Sequence, residues 1–133
     1  MNADSPTFLL DTSAVMAFLE AEEGGDRVRE LLKSAPTLLP FVAALEVHYI
    51  TTRERGVDAA RARLEGLKAL PCVWLATVDE ATLLAASRLK ASYPISLGDA
   101  VVAGFAIRHA ATLVHKDPEF EPLQPDLPQE ILP

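Results

Sequence analysis

"FLLDTSAV", residues 8–15, is an apolar run that stops on a carboxylate, Asp11, and passes straight into a helix-like pattern. A short apolar run of this kind, with Pro6 ahead of it, reads as a strand over 7–11 that is buried on both faces. Over 13–20, Ala14, Val15, Phe18 and Leu19 recur at the spacing of one helix face, and Gly24 with Gly25 breaks the pattern. The chain therefore opens as strand, acid, helix, and its remaining length largely repeats that succession.

A second amphipathic helix is expected over 26–34, with Val28, Leu31 and Leu32 inward, stopping ahead of Pro36. A strand at 37–39 leads into a long, mostly apolar helix with Pro40 near its start, where a missing N–H costs little, and Gly56 ends it. The next helix, 58–69, places Ala59, Ala62, Leu67 and Leu70 inward and its arginines outward. Pro71 stops it, and "CVWLA" at 72–76 reads as another buried strand. Helix 79–91, opened by Asp79, buries Leu83, Leu84 and Leu89. "SLGDAVVAGFAIRHA" at 96–110 is a helix and "TLVHK" at 112–116 a strand. The proline-rich remainder reads as largely extended or irregular, with a last short strand at 129–132. Apolar strands alternating with helices imply an α/β fold: three layers, α/β/α, around a mainly parallel sheet of four or five strands, in one domain over 1–133.

Composition narrows the function. Half of the 133 residues are hydrophobic and 23% are charged, the balance of a folded domain. Cys72 is the only cysteine, so no intrachain disulfide and no cysteine-based zinc site can form. No basic residue precedes the first apolar run, which is too brief for a signal peptide, and no stretch nears the ~20 apolar residues of a membrane span. A cytoplasmic protein with no membrane association is expected. The net charge of −7 opposes attraction to nucleic acid through bulk electrostatics. The charge is uneven, however. Residues 117–133 hold five acids and no Lys or Arg, while 53–68 hold Arg53, Arg55, Arg61, Arg63 and Lys68 against three acids.

In an open parallel sheet the ligand crevice lies beyond the carboxyl ends of the strands. Asp11 closes the first strand, Asp117 lies just past "TLVHK", and Asp99 sits near the start of the helix leading into that strand. All three are expected at one edge. Each also reads as a helix cap: Asp11 with Thr12 and Ser13, Asp99 in the pattern Ser96-x-x-Asp, and Asp117 ahead of Pro118. Glu46 is embedded in "FVAALEVHYI", where a carboxylate is costly unless it is paired or faces solvent or a subunit contact. Four clustered carboxylates repel one another unless a cation neutralises them, and Lys116 is the basic residue beside them. Oxygen ligands without a His or Cys cluster suit Mg²⁺ or Mn²⁺, which can activate water for phosphodiester hydrolysis. His48 leaves its helix about 200° from Glu46. His109 suits a helix C-terminus, and Cys72 and Trp74 read as packing.

"LLDTSAVMAFL", Glu46 in "ALEVHY", "SLGDAVVAGFA" and "LVHKDPEF", in that order over nearly the whole chain, resemble the PIN domain and in particular VapC-type toxins. The resemblance implies a metal-dependent ribonuclease that acts on RNA, often a homodimer, held in check by a cognate antitoxin. Asp11, Glu46, Asp99 and Asp117 match the family's acidic quartet, and Ser13 matches the hydroxyl residue that supports the first acid. On this reading Asp11, Asp99 and Asp117 hold the ion, and Glu46 is a ligand or the base that orients the attacking water. Arg53, Arg55, Arg61 and Arg63 either steer the RNA strand or form a solvated face with Arg61 paired to Glu65. The chain departs from the family pattern at His115, where Thr or Ser is common, and at Lys116. These two residues argue for the alternative, a catalytically silent PIN-like module binding RNA or protein. A receiver-type signalling domain would show paired acids at the first strand's end and an acid ending "CVWLA", and a D-x-D phosphatase fails because residue 13 is Ser.

Overall fold

The computed structural model describes residues 5–133. The part of the leader reading that concerns residues 1–4 lies outside the described residues. In chain order the elements are β1 (Phe8–Leu10), α1 (Thr12–Leu19), α2 (Gly25–Ser34), β2 (Thr37–Pro40), α3 (Phe41–Arg55), α4 (Val57–Lys68) and β3 (Val73–Leu75). Next come α5 (Glu80–Ser92), α6 (Leu97–Arg108), β4 (Thr112–His115), a 3₁₀ helix (Pro118–Leu123) and β5 (Gln129–Ile131).

The strands form one five-stranded sheet in the order β3-β2-β1-β4-β5, and every neighbouring pair is parallel. Successive side chains of a strand point to opposite faces, so a strand covered on both sides must be apolar throughout. In β1, Phe8 and Leu10 join Val15, Val28, Leu31, Val47 and Leu67 in the core on one face. Leu9 enters the other core, with Leu89, Phe105, Leu113, Phe120 and Leu123. The chain runs outward from β1 through β2 to β3, then crosses to β4 on the opposite side of β1. That reversal makes the β1/β4 boundary the switch point of the sheet, where a crevice opens beyond the strand ends.

Several helix faces differ from the sequence expectation. Leu83 and Leu84 are exposed, at 55% and 59%, while Thr82, Ala86 and Leu89 face inward. The reason is close packing of α5 on α6, for a Cβ added at Gly104 would lie 2.9 Å from the Ala86 Cβ and 3.0 Å from the Thr82 carbonyl oxygen. Small residues permit that approach, and leucines would prevent it. In α4 it is Ala60, not Ala62, that is buried, and Arg63 turns inward rather than outward. In α3, Leu45 and Tyr49 are exposed, so the helix is less enclosed than its apolar wheel suggests. The "CVWLA" segment is an edge strand rather than a buried one, with Val73 61% exposed. Pro40 ends β2 and supplies the N-cap of α3. The proline-rich tail holds a 3₁₀ helix where its composition suggests irregular chain, and its last strand is Gln129–Ile131. Among the described residues no helix is long and apolar enough to cross a membrane.

Candidate active site

Asp11 follows β1 directly and caps α1 in an extended conformation. Its Oδ1 accepts hydrogen bonds from the Ala14 N–H, at 2.9 Å, and from the Ser13 hydroxyl, at 2.7 Å. The Ser13 oxygen in turn accepts the Lys116 N–H at 2.8 Å, and the Asp11 N–H donates to the Val114 carbonyl at 3.2 Å. Ser13 thereby ties the end of β1 to the segment just past β4. Glu46, half-buried on α3, accepts a hydrogen bond at Oε1 from the Thr12 hydroxyl. Asp99 lies in the first turn of α6, where its N–H donates to the Ser96 hydroxyl oxygen at 3.1 Å. Asp117 caps the 3₁₀ helix, accepting the Glu119 N–H at Oδ1 from 2.9 Å.

Asp11 and Asp117 form the caps expected from sequence, whereas at α6 it is the Ser96 hydroxyl that caps, and the Asp99 carboxylate takes no part in it. At Asp11 and Asp117 the hydrogen bonds among the described residues fall on Oδ1 alone, leaving the second oxygen of each carboxylate for another partner. Carboxylate oxygens of Asp99, Asp117 and Glu119 lie within 4.8 Å of one another. Burial pushes Asp11 up to about 7, helped by the charges of Asp117 and Glu46 and opposed by its bonds to Ser13 and Ala14. Asp99 also rises to about 7, first through burial and then through Asp117, Glu119 and Glu46. Asp11 and Asp99 thus feel the same two neighbours, Asp117 and Glu46, while Asp11 and Glu46 lie outside the group of oxygens that meet within 4.8 Å. The donor set is oxygen only, with no His or Cys in the cluster. It fits a hard divalent ion such as Mg²⁺ or Mn²⁺, which would relieve the mutual repulsion.

Two contributors are not singled out by the sequence. Glu119 stands one residue beyond Pro118, and the "DPE" spacing in the first turn of a short helix is the only signal for it. Thr12 reads in the sequence as part of a cap, yet it steadies Glu46 from 34 positions away in the chain. The arginines divide. Arg55 and Arg63 both pair with Glu20 of the α1 C-terminus, at 2.8 and 2.9 Å, and Arg63 also donates to the Thr51 hydroxyl. Arg53 lies over the Tyr49 ring at 5.1 Å, and Arg61 is exposed. Glu65 pairs with Lys68, not with Arg61. Lys116 donates its ammonium to the Glu23 carbonyl at 2.8 Å.

The PIN domain family model matches residues 8–124. Comparison with curated proteins returns no match. Among solved structures, the chain is similar to Rickettsia felis VapBC2 bound to a DNA fragment from its promoter: TM-score 0.78, 17% identity, covering 96% of this chain and 99% of that one. DNA-bound VapBC from Salmonella typhimurium gives a TM-score of 0.75 at 19% identity, covering 95% and 98%. VapC20 of Mycobacterium tuberculosis, described as a Sarcin-Ricin loop cleaving toxin, gives 0.68 at 17% identity, covering 86% and 93%. These likenesses establish the shared fold, and the match of the family model across most of the sequence shows that the chain belongs to the PIN domain family.

Proposed function

We propose that the chain is a Mg²⁺- or Mn²⁺-dependent endoribonuclease, the toxin of a bacterial toxin–antitoxin pair. The observation that carries this reading is the shared environment of Asp11 and Asp99, each raised by burial and by the same Asp117 and Glu46. Such a cluster is costly in an apo protein and serves a cation well. The relatives support it: one is described as a toxin that cleaves the Sarcin-Ricin loop, and others as VapBC complexes.

In this reading Asp11 and Asp117 hold the ion through the oxygens their caps leave free, and Asp99 through its carboxylate, uncommitted to any cap, with Glu119 beside the last two. Ser13 orients Asp11, and Thr12 aims Glu46, which acts as a further ligand or orients the attacking water. A bound Mg²⁺ or Mn²⁺ supplies positive charge for the phosphate oxygens and acidifies water. Arg53 and Arg61, free of the Glu20 pairings, steer RNA past an acidic surface, whereas Arg55 and Arg63 brace α3 and α4 against α1. The protein works in the cytoplasm as one domain over 1–133, as a homodimer restrained by its cognate antitoxin. Lys116, turned to the Glu23 carbonyl, gives little support to a silent module.

Purified protein is expected to cleave RNA only when Mg²⁺ or Mn²⁺ is added, and Asp11→Asn and Asp99→Asn to stay folded without activity. Full activity in either variant would refute the metal role. Tight RNA or protein binding with no cleavage under any metal would favour the silent module instead.

A further inference from the structure

We infer that His115 is a positioning residue for Asp117, acting through a closed ring of hydrogen bonds that runs through the C-terminal strand. His115 ends β4, is 0% exposed, and packs on the Phe120 ring at 5.1 Å between centroids. Its Nδ1 takes the Asp117 N–H at 3.0 Å, and its Nε2 lies 2.7 Å from the Oε1 of Gln129 on β5. A backbone N–H can only donate, so Nδ1 must be the bare acceptor nitrogen, and Nε2 then carries the proton and donates it to Gln129. The same assignment leaves the Gln129 Nε2–H free to donate to the Phe120 carbonyl, at 2.7 Å. Phe120 returns the path to its origin, because its N–H donates to the Asp117 carbonyl at 3.2 Å. Every donor and acceptor in the ring has a matching partner, and only one histidine tautomer allows it.

The ring fixes the turn from which the Asp117 carboxylate projects. A side-chain acceptor that takes the N–H two residues on is the device of Asx and Ser/Thr turns. The imidazole performs it here with a longer arm, and Gln129 fixes the ring orientation from the neighbouring strand. His115 therefore supplies this acceptor itself and makes β5 part of the support of the last acid. The inference rests on the reading of Asp117 as an ion ligand, and its test separates the two.

Mn²⁺ binding is measured by calorimetry and by electron paramagnetic resonance on wild type, His115→Phe, His115→Asn, Gln129→Leu and Asp117→Asn, with folding checked by circular dichroism. Outer partners of ligands typically change metal affinity ten- to a hundred-fold. His115→Phe and Gln129→Leu are expected to weaken Mn²⁺ binding about tenfold or more. His115→Asn, which restores an acceptor for the Asp117 N–H, is expected to recover most of that loss. Wild-type affinity in both His115→Phe and Gln129→Leu would overturn the positioning role. If His115→Phe fails to fold, Gln129→Leu and the nitrogen spectrum of wild-type His115 decide: a protonated Nε2 is expected, and a protonated Nδ1 overturns the inference. Unchanged Mn²⁺ binding in Asp117→Asn would instead remove Asp117 as a ligand, a result distinct from loss of the ring.

Discussion

Asp11 and Asp99 make the pH behaviour of the metal-free protein unusual. Their folded values lie near 7, whereas an unfolded chain releases the same protons around the ordinary aspartate value of 3.8. Between these limits the native state binds protons that the unfolded state has already lost, so stability is greatest at the acid end and falls as pH rises through about 7. Urea melts in EDTA should show greater stability at pH 5 than at pH 8, by up to a few kcal/mol, with Asp99 contributing less because it is only half-buried. Mn²⁺ should bind more tightly as pH rises through the same window and should cancel the loss. A flat profile in EDTA would mean that burial does not hold the two acids above the ordinary aspartate value. Thr12→Val tests the support of Glu46: the fold should persist while the RNA cleavage proposed for the chain drops by roughly tenfold, as measured in single-turnover assays. The acids are legible in the sequence because each ends an apolar run or interrupts one. Thr12 and Glu119 are not, since their value comes from what the fold brings near: α3 in one case, the start of α6 in the other.

Strand and helix alternation is legible in the apolar runs and their Gly and Pro breaks, and each expected element is present. The inward faces are harder to read. In α5 the larger leucines point to solvent and the smaller Thr82 and Ala86 point to α6, because the closeness of two helices is set by their smallest residues rather than their most hydrophobic ones. Gly104→Val should lower stability by about 1–3 kcal/mol in urea melts, since its side chain would meet Ala86 and the Thr82 carbonyl. A neutral result would show that α5 can move aside. Arg63 illustrates the same difficulty: a charged residue on an amphipathic helix reads as outward, yet Glu20 across the α1–α4 contact draws it in.

Across the assembled chain, Val78 ahead of α5, Leu83 and Leu84 on α5 and Leu97 on α6 are exposed and leave an apolar surface beside a groove of about 550 Å³. Light scattering should report more than one copy per particle, and Leu83→Glu should shift the population toward single chains without unfolding them, because the residue is already 55% exposed. Particles of one chain at all concentrations would contradict the homodimer. The parallel sheet itself has a further consequence. Ser13 meets the Lys116 amide across 103 positions of sequence, and no local hairpin can bring them together. Bringing such remote segments together is a slow event in refolding, because so long a loop must close first. A chain that has already gained its helices would still have no place for an ion. In stopped-flow refolding, the ability to capture Mn²⁺ should therefore return with the slowest phase, so that under the proposed function an immature or half-opened molecule would leave RNA intact.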